Sequence, residues 1–95
     1  MGVVLKNNAM TPVQLLNEAR TQLLEVRAGN GWLAYRAARP GGEQDIEELL
    51  QRIEGMLAPG AEAPSQEVAS NLFRSAGRYR IIVGEFTSRH ATAGY

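Results

Sequence analysis

From Gly41 to Leu57 the chain reads GGEQDIEELLQRIEGML. Ile46, Leu49, Leu50, Ile53, Met56 and Leu57 recur at the i, i+3, i+4, i+7 spacing of one helix face, and Glu47, Glu48, Gln51, Arg52 and Glu54 fall on the other. A helix of this kind must bury its apolar side against another element, so the pattern commits the chain to a packed helical core. Glu43 and Asp45 in the first turn suit the positive end of the helix dipole. The run APGAEAP, Ala58 to Pro64, ends the segment, because proline cannot continue the hydrogen-bond ladder and glycine resists ordering.

An earlier helix starts at Thr11-Pro12-Val13-Gln14, which matches the S/T-x-x-E/Q capping box with proline at the first helical position. Residues 1–10 then form an arm outside it. Leu16, Ala19, Leu23 and Val26 make its stripe, widened by Leu15 and Leu24, and Ala28-Gly29-Asn30-Gly31 ends it at residues able to take positive φ. Ser65 caps a short third helix whose face is Val68, Ala69, Leu72, Phe73 and Ala76, with Gly77 as its stop. WLAYRAAR, Trp32 to Arg39, suits a helical turn by its spacing and a short strand by its aromatics, and periodicity leaves both open.

GRYRIIVGEF, Gly77 to Phe86, reads as a strand. Alternation places Tyr79, Ile81 and Val83 inward and leaves Ile82 and Phe86 on the other face beside Arg80 and Gly84. Such a strand pairs with WLAYRA, with the arm VVLK, or with a sheet on another protein. The expected fold is mainly α (α+β): three short helices with one or two short β-strands in one domain over residues 11–87, followed by a flexible tail at 88–95. Leu16, Leu23, Ile46, Leu50, Ile53, Leu72 and Phe73 form the expected core.

With 95 residues, 44% of them apolar and 21% charged, the chain suits one small globular domain. It has no cysteine, so neither disulfides nor thiolate metal ligation supply stability. MGVVLKNNAM carries only a three-residue apolar run, neither a signal-peptide core nor a membrane span, and the expectation is a soluble, cytoplasmic protein. Ten basic residues balance ten acidic ones, but unevenly along the chain. Residues 1–42 hold five basic against two acidic residues (+3), residues 43–67 seven acidic against Arg52 (−6), and the stretch from Phe73 onward four arginines against Glu85 (+3). An acidic centre between basic flanks folds back on itself, or lets copies meet basic surface to acidic surface in a ring.

The inventory for catalysis is thin: His90 is the one histidine and lies in the expected tail, with no cysteine to serve as nucleophile. The run EQDIEE pairs Asp45 with Glu48 and Glu43 with Glu47 on the polar side of a helix, which reads as a solvated face rather than a metal site. GNGWLA lacks the third glycine and the lysine of phosphate-cradling loops, so no nucleotide or other cofactor is expected. Arg78-Tyr79-Arg80 interleaves charge with an aromatic ring, yet zero net charge argues against nucleic acid as a partner except as a neighbour inside an assembly.

From Met10, MTPVQLLNEARTQLLEVRAGNGWLAYR followed by GGEQDIEELLQRIEGML resembles the small W-type head–tail joining proteins of tailed bacteriophages. Ala19-Arg20, Leu23, Gly29, Asp45-Ile46, Leu49 and Ile53 hold corresponding places over about half the chain. The family's β-hairpin between the two helices would have to come from WLAYRAARPGG, and the third helix and GRYRIIVGEF are additions. The resemblance implies a non-enzymatic virion protein that joins a ring at the portal end of a filled capsid. The expected function is therefore protein–protein interaction, as an oligomeric connector or adaptor. The alternative is a small regulator or inhibitor that blocks a host protein by presenting Glu43, Asp45, Glu47 and Glu48 as a polyanion mimic. Expected partner-binding residues are Arg78, Arg80, Ile82 and Phe86, with Trp32 and Tyr35 as a second patch.

Overall fold

The computed structural model describes residues 10–93, with side chains through Phe86. Four helices follow one another: α1 (Pro12–Ala28), α2 (Trp32–Ala38), α3 (Gly42–Leu57) and α4 (Gln66–Ala93). The N-terminal arm at residues 1–9 and the last two residues of the expected tail lie outside the described residues.

α1 begins as its sequence dictates. The Thr11 hydroxyl accepts from the Gln14 backbone N–H at 3.1 Å, and Gln14 Oε1 accepts from the Thr11 N–H at 2.9 Å. Its end differs from expectation: Gly29 is extended (φ −81°), and the left-handed glycines are Gly41 (φ 90°) and Gly60 (φ 85°). The first turns the chain between α2 and α3, and the second lies in the turn after α3. WLAYRAA is helical. Packing decides what periodicity left open, because one turn of helix carries Tyr35 into the core, where it is buried.

The expected strand is absent, and among the described residues no strand occurs. Gly77 does not stop the third helix: α4 runs for 28 residues, straight through GRYRIIVGEF. Ser65 caps it through its hydroxyl, which accepts from the Val68 N–H at 3.2 Å. The physical reason is that Tyr79, Ile82, Val83 and Phe86 also satisfy the helical i, i+3, i+4, i+7 spacing. On a helix all four reach the core, whereas a strand needs an edge that this helical chain does not offer. The assignment of faces therefore changes: Ile81, expected inward, is 67% exposed, and Ile82 and Phe86, expected to lack a burial site, pack against the core.

α1 and α4 lie side by side and parallel. Gln66 Nε2 donates to the Met10 carbonyl at 2.9 Å near their starts, and Gln22 Oε1 sits beside Gly77 further along. α3 runs antiparallel to α1, as the Arg20–Glu54 and Arg27–Glu47 ion pairs show. Between the three long helices lie Leu16, Leu23, Ile46 and Ile53, all fully buried and each contributing about 1.5–3 kcal/mol by leaving water. Ala19, Ala69 and Ala76 are also fully buried. Their small side chains let α1 and α4 approach closely. Of the expected core, Leu50 and Leu72 are buried, and Phe73 packs against the cluster while partly exposed.

Candidate protein-binding surface

The two expected contact patches meet inside the molecule. Trp32 and Tyr35 stack with ring centroids 5.9 Å apart, and Phe86 meets Tyr35 edge-on at 5.7 Å. This cluster docks α2 onto α4. Tyr35 is 4% exposed, and Trp32, Ile82 and Phe86 are half-buried against the core, so these four residues do structural work in the chain itself. Gly42 permits the arrangement: a Cβ there would lie 2.6 Å from the Tyr35 hydroxyl oxygen.

Burial raises the Tyr35 phenol pKa above its ordinary value, with Tyr79 and Asp45 adding to the effect and Arg39 opposing it. The Tyr79 phenol moves the same way, chiefly by burial and then by Asp45, against Arg78. Neither shift activates a phenol, since both make it a weaker acid near neutral pH. Tyr79 borders a shallow depression of about 340 Å³ with Asp45, Glu48, Leu49, Arg52 and Ser75. Among the described residues no group of three or more acidic or histidine side chains is placed to hold a metal ion, and no helix is long and apolar enough to cross a membrane. The His90 side chain lies outside the described residues.

Arg78 and Arg80 are exposed, and they border a groove of about 610 Å³ between α1 and α4. Gln22, Phe73, Arg74, Gly77 and Ile81 complete its lining. Apolar surface from Phe73 and Ile81 thus lies among three guanidinium groups with no carboxylate in the lining. Arg74 donates to Asn71 Oδ1 at 2.7 Å within its own helix, and among the described residues no ion pair neutralises Arg74, Arg78 or Arg80. The strand reading, which stops the helix at Gly77, does not single out Arg74 or Ile81 as contact residues. The signal that finds them is the i, i+4, i+7 spacing of 74, 78 and 81.

Three of the seven acidic residues of the centre are held in ion pairs. Glu43 pairs with Arg36 (2.7 Å), Glu47 with Arg27 (3.1 Å) and Glu54 with Arg20 (3.3 Å), so the first basic flank folds back onto α3. Each pair is roughly half exposed and contributes about 0.2–1 kcal/mol. Comparison with protein-family models, with curated proteins and with solved structures finds no match to this chain.

Proposed function

We propose that this chain is a non-enzymatic protein that acts by binding protein through the basic and apolar face of α4. The observation carrying the reading is Ile81, 67% exposed beside Phe73 and within an arginine set that no carboxylate among the described residues neutralises. A large apolar side chain among unpaired guanidinium groups gains from a partner that buries the one and supplies hydrogen-bond acceptors to the other. A photo-crosslinking residue at position 81 tests this, with one at Leu33, 72% exposed on α2, as control. Protein adducts formed from 81 and not from 33 support the reading. Equal yields, or none, refute it.

The finer form of the proposal is a joining component of a tailed-phage particle, carried by the resemblance of α1 and α3. Of its matched positions, Ala19, Leu23, Ile46 and Ile53 are core residues in this fold, and α2 stands where that family has a hairpin. Such a role requires ring assembly, visible by electron microscopy of the purified chain. The inhibitor reading has no comparable support, because Glu43 and Glu47, half of its proposed acidic face, are held in ion pairs with Arg36 and Arg27.

A further inference from the structure

The groove between α1 and α4, whose own lining holds no carboxylate, is flanked by helix faces of opposite sign. On α1, Glu18, Gln22 and Glu25 share one side at i, i+4 and i+7; Gln22 lines the groove and both glutamates are exposed. On α4, Arg74, Arg78 and Ile81 do the same. The helices are parallel with nearly constant offset: 56 residues between Met10 and Gln66, and 55 (77 less 22) between Gln22 and Gly77. Glu18 is therefore level with residues 73–74, and Glu25 with 80–81. The ion pairs found among the described residues do not join these two lips.

An acidic peptide or a nucleic acid lying along the arginines would meet Glu18 and Glu25 on the opposite lip. The occupant that suits both lips has its own basic edge and acidic edge, at the same spacing and the same levels. This chain presents such a surface. Resting on the reading that this face binds protein, we propose that the occupant is a second copy of the chain, in a two-fold pair whose axis runs parallel to α1 and α4. Rotation about that axis preserves the level of every residue and lays α1 over the partner's α4. Glu18 then faces the partner's Arg74, and Glu25 faces the partner's Arg78 and the partner's Arg80. The same contacts repeat by symmetry, and Ile81 is covered in the process. A two-fold axis across the helices would instead set acidic lip on acidic lip, which repulsion disfavours.

Size sets the expected strength. α1 is about 26 Å long, and two helices about 8–10 Å apart present a face about 20 Å wide with their side chains. The pair buries on the order of 1,000 Å² in total, at the small end of specific interfaces, so association is concentration-dependent and weakens with salt.

Analytical ultracentrifugation of the full chain from about 1 to about 300 μM covers the range expected for such an interface. The expected result is a monomer–dimer equilibrium. Arg74→Glu/Arg78→Glu and Glu18→Arg/Glu25→Arg each raise the dissociation constant by about tenfold or more. An equimolar mixture of the two variants recovers dimer, because each then supplies the lip the other has lost. All four residues are exposed and outside the observed ion pairs, and circular dichroism checks that the variants fold; Ile81→Glu gives an independent loss of dimer. A monomer across the whole range, a mixture no better than its components, or a trimer or larger ring, which is the assembly the phage-joining form requires in place of the pair, overturns the two-fold pair. Crosslinking from position 81 separates the two readings: adducts to a different protein, with the purified chain monomeric, overturn the pair and leave protein binding standing.

Discussion

Gly77 and Gly84 sit inside a continuous helix, where each costs about 0.8–1 kcal/mol relative to alanine through backbone entropy. Neither has positive φ. A Cβ at 77 would meet only Gln22 Oε1, at 3.8 Å, and one at 84 would meet nothing within 4 Å. Gly77→Ala and Gly84→Ala should therefore each stabilise by about 0.5–1 kcal/mol, and the double variant by about 1–2 kcal/mol, since two helical turns separate the sites. For a domain of this size that raises Tm by roughly 4–8 °C per kcal/mol. Thermal and urea unfolding followed at 222 nm, at low protein concentration to exclude association, give the numbers. Gly41→Ala should do the opposite and destabilise by about 1 kcal/mol or more, because Gly41 holds φ 90°. If either α4 variant lost more than about 0.5 kcal/mol, an unbroken helix through residues 77–86 could not be sustained.

The inversion of faces within α4 gives a second measurement: Ile81→Lys should leave stability within about 0.5 kcal/mol, whereas Val83→Lys, at a site 3% exposed, should cost about 3 kcal/mol or more by burying a charge. Urea unfolding in which Ile81→Lys costs as much as Val83→Lys would restore the strand assignment of faces, which places both residues inward. Gly42→Ala should destabilise by about 1–3 kcal/mol, because its Cβ would press on the Tyr35 ring, and near-UV dichroism should report the loosened tyrosine environment. Both phenols, Tyr35 buried and Tyr79 half-buried, are less acidic in the folded state than in the unfolded chain. The unfolded chain therefore releases these protons first, and their contribution is full below the ordinary tyrosine pKa of about 10 and is lost as pH rises through the raised folded values. Tyr35→Phe and Tyr79→Phe should flatten that alkaline decline, as read by unfolding free energy against pH.

What could be read in the sequence was whatever a short window decides. The capping box at Thr11, the stripe from Ile46 to Leu57 and the cap at Ser65 are complete within a few residues, and each appears where its chemistry requires. GRYRIIVGEF is different, because its β-branched and aromatic residues satisfy both a period of 2 and a period of 3.6. Tyr79 and Val83 point inward under either reading, so the two assignments differ only at Ile81 against Ile82 and Phe86. Nothing local distinguishes those. The choice is made by α2 at a distance, which places Tyr35 where Phe86 can meet it edge-on. A glycine every seven residues adds only about 1 kcal/mol of opposition per site, less than burying Val83 and Phe86 supplies.

The contact surface was legible in its charges and not in its shape. Arg78 and Arg80 stand out as basic residues late in a neutral chain, but the apolar character that marks Ile82, Phe86, Trp32 and Tyr35 for a partner is consumed internally by the fold. Once those four are withdrawn, the charge pattern changes meaning. Arg20, Arg27 and Arg36 are used against α3, so three of the seven acidic residues in the −6 block are neutralised in place. Besides the acidic residues still exposed on and after α3, Glu18 and Glu25 on α1 and Arg74 and Arg78 on α4 stay outside those ion pairs, on the two sides of one groove. Adjacent lips of opposite sign on parallel helices are self-complementary under a two-fold axis along those helices. A chain with no net charge has no long-range field to draw in a strongly charged partner. Its recognition has to be read at the scale of that groove, and there the complementary surface is the chain's own.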